Sequence, residues 1–307
     1  MILYRVRHSI CIYYKIRLMT ETIILSSAQE QFIEYLKKQK RSISTILAYG
    51  KDIEQLVTFL GAKQITQIAS ITTEMLEEFK NDLIAQKYTL KSVSRKLNSI
   101  KTFFKFLKSE GLVPLDPSVQ VTHPKYESKA PRILSRLEYR ALRDACRDDI
   151  RMAAIVELLL QTGIRIGELA RLEIDNVNEN ELSIKPYESQ PQRIIPLNKA
   201  AKGALSRYLE ERPSNIKTKA IFVTKTGKPL LVRNIRTVID RYFKEGGIEN
   251  AKVNDLRNTW LAHHLCAGTS VVVLSKLAGH KRLSTTEKYL QFVKETLGDQ
   301  KFKLDEL

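Results

Sequence analysis

Cysteine is scarce in this sequence. Cys11, Cys146 and Cys266 are the only three in 307 residues, scattered and odd in number, with no C-x-x-C or other metal-ligand spacing. That argues against a disulfide scaffold and against a zinc finger. Long apolar runs are missing too, and no stretch approaches the ~20 apolar residues of a membrane span. The segment Met1 to Leu18 contains apolar residues, but Arg5, Arg7, Lys15 and Arg17 interrupt them, so no secretory h-region forms. We read residues 1–18 as a loose basic arm or an upstream-start artefact, with Met19 as a more ordinary opening. Acid is in short supply: 34 Asp+Glu face 51 Lys+Arg, a net charge of +17 at pH 7. Such a surface attracts polyanions, nucleic acid foremost, although ribosome association or a generally basic proteome would give the same sign. What is present, 43% hydrophobic and 28% charged residues, describes a folded globular protein and excludes a disordered tail or a collagen-like fibre. A chain of this length buries its apolar surface more readily as two domains than as one.

The first half carries helical periodicity. Ala28, Phe32, Ile33 and Leu36 share a face between Ser26 and Lys40. Ser44 or Thr45 is placed to cap a second helix through Ile53, Leu56 and Leu60, ended by Gly61. Thr72-Thr73-Glu74 opens a third helix, and a fourth runs from about Thr89 to Ser109, ending at Gly111. Short connections make residues 26–111 a four-helix domain. The fourth helix also bears Lys91, Arg95, Lys96, Lys101 and Lys105 with hardly an acid, where a merely solvated face mixes signs. These cations are candidates for neutralising DNA phosphates. Pro114, Pro117, Pro124 and Pro131 mark residues 112–131 as a linker.

Residues 132–307 read as a mixed domain. Ser135 and Glu138 form a capping box, and Asp149 to Gln161 is a strongly apolar helix. Leu182-Ser183-Ile184 and Arg193-Ile194-Ile195 read as a hairpin, and Phe222-Val223 as a further short strand before the turn Lys225 to Lys228. Helices resume from Val232. The fold class is therefore mainly α with a small β-hairpin, an α+β arrangement.

Three stretches stand out: Thr162-Gly163-Ile164-Arg165-Ile166-Gly167-Glu168-Leu169, then Asn254-Asp255-Leu256-Arg257, then Gly279-His280 with Ser284-Thr285-Thr286-Glu287-Lys288-Tyr289. Singly, each has an ordinary explanation. Tyr289 could be a half-buried helix tyrosine, Arg165 a helix-end cation paired with Glu168, His280 a helix-start residue. We assign Trp260, His263 and His264 to packing and surface. Together, in this order, the stretches resemble the tyrosine recombinase (phage integrase) family, especially its short Xer-like members. That family reads T-G-x-R-x-x-E-L, H-x-x-R, G-H and S-T-T-x-x-Y, with the tyrosine nine residues after the histidine, as Tyr289 follows His280 here.

The resemblance implies a helical core-binding domain followed by a catalytic domain over 132–307. It implies a site-specific recombinase that cuts and rejoins DNA through a 3′-phosphotyrosyl intermediate and a Holliday junction, with no metal and no cofactor. By resemblance, Tyr289 is the nucleophile, Arg165 and Arg257 clamp the scissile phosphate, His280 supports it and Glu168 orients the site. The chemistry suits those residues. A phenol can form an ester that a 5′-hydroxyl later reverses, and guanidiniums hold nonbridging oxygens bidentately. Expected partners are double-stranded DNA and either a homotetramer in the synaptic complex or a hetero-oligomer with a related recombinase, with no membrane. The expected location is cytoplasmic, at the nucleoid. A tail beyond Tyr289, with Leu297, Phe302 and Leu304, is expected to dock on a neighbouring protomer.

Two residues depart from the pattern. Asn254 stands where the family has histidine, and an amide cannot shuttle a proton. The family's hairpin lysine aligns with Glu188, leaving Lys185 as a substitute and Lys225 as a weaker one. These departures keep open a catalytically weakened DNA-binding or architectural protein on the same fold. A relaxing enzyme related to type IB topoisomerases shares the chemistry but not the short Xer-like arrangement.

Overall fold

The computed structural model describes residues 24–127, 130–187, 190–213 and 217–292. The amino-terminal arm, Glu188 and the tail from residue 293 onward lie outside them. The chain divides into two compact units, Met1–Ser128 and Lys129–Leu307.

The first unit is built from α1 (Leu25–Lys38), α2 (Ile43–Gly61), α3 (Thr73–Ala85) and α4 (Leu90–Ser109). Each helix buries one stripe: Ala28, Phe32 and Leu36 on α1, Leu76, Phe79 and Leu83 on α3, Leu97, Ile100 and Phe104 on α4. Phe32 meets Phe103 edge-on, ring centroids 5.2 Å apart. Side-chain oxygens of Ser42, Thr72 and Thr89 accept amide bonds that start α2, α3 and α4. The second helix thus begins at Ser42 rather than at Ser44 or Thr45, and Gly61 is its last residue rather than its stop. The proline-rich segment is docked over its first part. Val113 and Val121 join this core, and the Thr122 amide donates to Glu77 at 3.1 Å.

The second unit contains α5 (Arg136–Ala145), α6 (Ile150–Thr162), the single turn α7 (Ile166–Leu169), β1 (Glu181–Ile184), β2 (Arg193–Pro196), α8 (Lys199–Glu211), α9 (Val232–Glu245), α10 (Val253–Cys266), α11 (Val271–Ala278) and the turn α12 (Ser284–Glu287). The Ser135–Glu138 capping box is formed, and Asp149 caps α6. The two strands pair antiparallel with Leu182 opposite Ile195. Phe222-Val223 makes no strand; Val223 only bridges to Pro229. The main core packs α6 against α8 and the sheet, and α6 is buried on nearly every side. Helix α10 is equally enclosed, yet four of its buried residues are polar: Asp255, Arg257, Asn258 and Thr259. Buried polar side chains on that scale need partners, and those partners are the site described next. Among the described residues no helix is long and apolar enough to cross a membrane.

Candidate active site

Two helix ends create the site. Helices α6 and α11 both stop at glycines in the left-handed region, Gly163 at φ +59° and Gly279 at φ +66°. Close packing demands glycine as well: a Cβ on Gly163 would lie 2.2 Å from the Trp260 ring, and one on Gly279 would lie 2.9 Å from Arg193 Nη1. These stops leave terminal carbonyls without amide partners, at the negative ends of two helices. The arginines fill that need. Arg257 donates to the carbonyls of Gly163 and Ala278, the latter at 2.6 Å. Arg165 donates to the same Ala278 carbonyl at 3.3 Å and to that of Gly279 at 2.9 Å. Residues more than a hundred positions apart in sequence are so held side by side.

Glu168 organises the cations. It accepts from the Arg165 amide at 2.8 Å and its guanidinium at 3.0 Å, and from Arg193 through two bonds of 2.9 and 2.7 Å. Burial alone would raise its carboxyl; the bonds from Arg193 and Arg165 outweigh this and take it down to about 2. Arg193, the first residue of the second hairpin strand, is buried and also donates to the Leu277 carbonyl at 2.7 Å. Strand alternation carried a signal for this: with Ile195 inward on β2, Arg193 points inward too.

Arg257 is only 5% exposed. Burial and then the neighbouring Arg165 push its guanidinium down to about 9, still cationic at neutral pH. His280 is oriented by a 2.8 Å contact between Nδ1 and Thr286 Oγ1. Burial, followed by Arg257, Arg165 and Arg193, pulls its imidazole down to about 4. His280 is therefore uncharged at pH 7, although an ordinary imidazole would titrate near neutrality.

Tyr289 is 8% exposed and lies against Trp260, Leu261 and Leu274. Its hydroxyl donates to Asn258 Oδ1 at 2.7 Å. Burial raises this phenol, Arg257 opposes the rise and Asp255 adds to it. Asn254 donates its amide to the same Asn258 oxygen at 3.1 Å. Asn258 belongs to none of the sequence motifs, but its place four residues after Asn254 puts both on one helix face. Trp260 packs as expected, edge-on to His264 with ring centroids 5.0 Å apart.

A cleft opens beside the arginines, lined by Arg165, Arg171, Arg236, Lys252, Asn254 and Arg257. Lys185 is not among them: it is exposed, paired with Glu173, and lines a separate cleft that shares Arg171 with this one. Lys225 is exposed on its turn. The cleft's lysine is Lys252, at the start of α10.

The expected DNA-facing residues of α4 divide. Lys91 and Lys105 are exposed on one face, and Lys101 is half-buried near the Val119 carbonyl at 3.4 Å. Lys96 is turned inward, which corrects its assignment to the DNA face: its ammonium donates to Asp52 at 3.0 Å and Gln55 at 2.8 Å. Arg95 grips the same buried Asp52 through bonds of 2.6 and 2.8 Å while half its side chain stays exposed.

Comparison with known proteins places this geometry. Residues 132–295 match the model of the phage integrase family, and residues 30–111 match the phage integrase N-terminal SAM-like domain. The tyrosine recombinase XerC of Roseiflexus castenholzii is 30% identical over 85% of this chain and 87% of its own. XerD of Staphylococcus aureus is 30% identical over 90% and 96%. Among solved structures, a XerA recombinase shares 26% identity over 91% of this chain and 99% of its own, with a TM-score of 0.52. A lambda integrase dimer bound to a core site reaches a TM-score of 0.74 at 17% identity, covering 94% and 82%, a likeness of fold. The chain belongs to the phage integrase family and is a tyrosine recombinase of Xer type.

Proposed function

We propose that the protein cuts and rejoins DNA at a specific site, with Tyr289 as nucleophile. The observation that carries this reading is the convergence of Arg165, Arg257 and His280 around two glycine-capped helix ends, with Tyr289 buried beside them. The Tyr289 hydroxyl gives up its proton to solvent as its oxygen attacks phosphorus, the bond to the 5′-oxygen breaks, that oxygen takes up a proton, and a 3′-phosphotyrosyl ester forms. Arg165 and Arg257 hold the nonbridging oxygens, whose negative charge grows in the transition state. Their fixed bonds to helix-end carbonyls place them before substrate arrives, which saves reorganisation during reaction. Neutral His280 contributes hydrogen bonding rather than charge. A Holliday junction and a synaptic assembly of four copies, or of two related recombinases, complete the reading; solved relatives of this fold include a lambda integrase tetramer on a Holliday junction. The decisive experiment is covalent trapping on a nicked duplex selected for binding from random sequence. No adduct under any condition would favour the weakened DNA-binding reading, to which Asn254 and the misplaced Lys185 lend support.

The leaving oxygen needs a proton, and Lys252 is the lysine lining the cleft; Lys185 keeps the role only if it leaves Glu173. Lys252→Ala is expected to slow cleavage of an ordinary strand on the order of 10²-fold. Cleavage should be nearly restored on a 5′-bridging phosphorothiolate, whose leaving group needs no proton. Equal slowing on both substrates would remove Lys252 from proton transfer.

The half-exposed and exposed cations of α4 carry DNA binding in this reading. Replacing Lys91 and Lys105 with Ala should flatten the salt dependence by about one per lost phosphate contact. Lys96→Ala should lower the stability of the helical unit and leave that slope alone, because its ammonium serves Asp52. A slope change with Lys96→Ala alone would return that residue to the DNA face.

A further inference from the structure

We propose that Asn258 is a positioning residue for the nucleophile: its side-chain oxygen tethers the Tyr289 hydroxyl in the resting protein, and that hydrogen bond must break before the hydroxyl reaches a phosphate. The inference rests on Tyr289 being the nucleophile. Its basis is the orientation of one buried amide. The Asn258 nitrogen donates to Asp255 Oδ1 at 3.1 Å and to the Arg132 carbonyl at 3.3 Å. Both partners are acceptors, so the nitrogen belongs there; turning the amide over would press its oxygen against a carboxylate. The oxygen is thereby fixed on the opposite side, where it receives Tyr289 at 2.7 Å and Asn254 at 3.1 Å.

Two consequences follow. An amide oxygen only accepts, so the Tyr289 hydroxyl must donate and keeps its proton while tethered. A phenolate there would face lone pairs instead, so the tether favours the unreactive form, in the same direction as burial. Arg257 and Asp255, the charged groups that act on the phenol, pull in opposite directions and do not remove this bias. The second consequence is positional. The cleft walls include Arg165, Asn254 and Arg257, and Tyr289 is not among its lining residues. The hydroxyl is held instead on the Asn258 side chain of α10. Asn254 acquires a role on the same grounds. It supplies the second donor that saturates the Asn258 oxygen and steadies the amide.

The test needs no knowledge of the natural site for its first part. In DNA-free wild-type protein labelled at tyrosine, NMR should find, beside the buried Tyr208 hydroxyl bonded to the Ile221 carbonyl, a slowly exchanging hydroxyl proton that Tyr289→Phe removes. A Tyr289 hydroxyl that exchanges as fast as exposed tyrosines overturns the tether, whether or not any Asn258 variant folds. The second part measures single-turnover adduct formation on a nicked duplex selected from random sequence. Asn258→Leu has similar volume and no acceptor; it should form the adduct about fivefold faster than wild type at unchanged DNA affinity. Asn258→Asp keeps an acceptor and should be no faster than wild type. Equal rates in all three, or equal slowing of both variants, overturn the proposal. Absence of adduct in wild type together with a protected hydroxyl removes Tyr289 as nucleophile, an outcome distinct from failure of the tether alone.

Discussion

Tyr289→Phe is expected to reduce the covalent protein–DNA adduct to background while leaving DNA affinity unchanged. In the proposed mechanism the substitution deletes the one atom that bonds to phosphorus, and little else. The ring still fills its place against Trp260, Leu261 and Leu274. The Asn258 oxygen loses one donor but keeps Asn254 at 3.1 Å, so no buried acceptor is left without a partner. The fold and the arginine cluster therefore persist. Denaturing gels after incubation with a nicked duplex check the adduct, and titration of labelled DNA checks affinity. Adducts that survive in the Phe variant would mean that another hydroxyl attacks.

Loss of Glu168 is expected to have the largest effect on stability. Its two carboxylate oxygens receive Arg193 and Arg165, and both Glu168 and Arg193 are buried. Glu168→Ala strands Arg193 in the interior without its counter-charge, at a cost of about 3–5 kcal/mol. Arg165 loses its carboxylate anchor and keeps only the Ala278 and Gly279 carbonyls, so cleavage by the folded fraction should fall on the order of 10²-fold. Glu168→Gln keeps the shape and removes the charge, which isolates the electrostatic part. The carboxyl sits at about 2 in the folded protein against an ordinary 4.5. Its folded value is depressed, so its contribution is complete above about 4.5 and disappears as pH falls towards 2. The corresponding stabilisation at neutral pH is about 3 kcal/mol. Urea unfolding of wild type and Glu168→Gln between pH 2 and 7 should therefore converge at the acid end and separate above pH 5. Parallel curves over the whole range would show that this carboxylate carries no such role.

The predicted elements and the observed ones agree best where the information is local. Thr72, Thr89, Ser135 and Asp149 each cap the helix that follows within three residues, a relation visible in the sequence alone. The apolar stripes of α1, α3 and α4 and the pairing of Leu182 with Ile195 follow from helical and strand periodicity. Where the local rules had two answers they slipped, as at Ser42, because several hydroxyls in succession can serve as a cap. Phe222-Val223 has β-prone residues but lacks a partner strand, and ladder formation needs one.

By itself, then, the sequence determined the residue types at the site, their spacing and the family they mark, because Gly163, Arg165, Glu168, Arg257, His280 and Tyr289 lie in short contiguous motifs. Only the tertiary structure decided what each of those groups does in its surroundings. Lys96 became a buried counter-ion because Asp52, 44 residues away, comes within 3.0 Å of it. Arg193 joined Glu168 across 25 residues, and Tyr289 met Asn258 across 31. His280 lost its neutral-pH titration to burial and to three arginines drawn from different elements. Each outcome depends on desolvation and on charge neighbours at a few ångströms. Neither is encoded in any short window of residues; both arise when helix ends capped at Gly163 and Gly279 bring distant segments together.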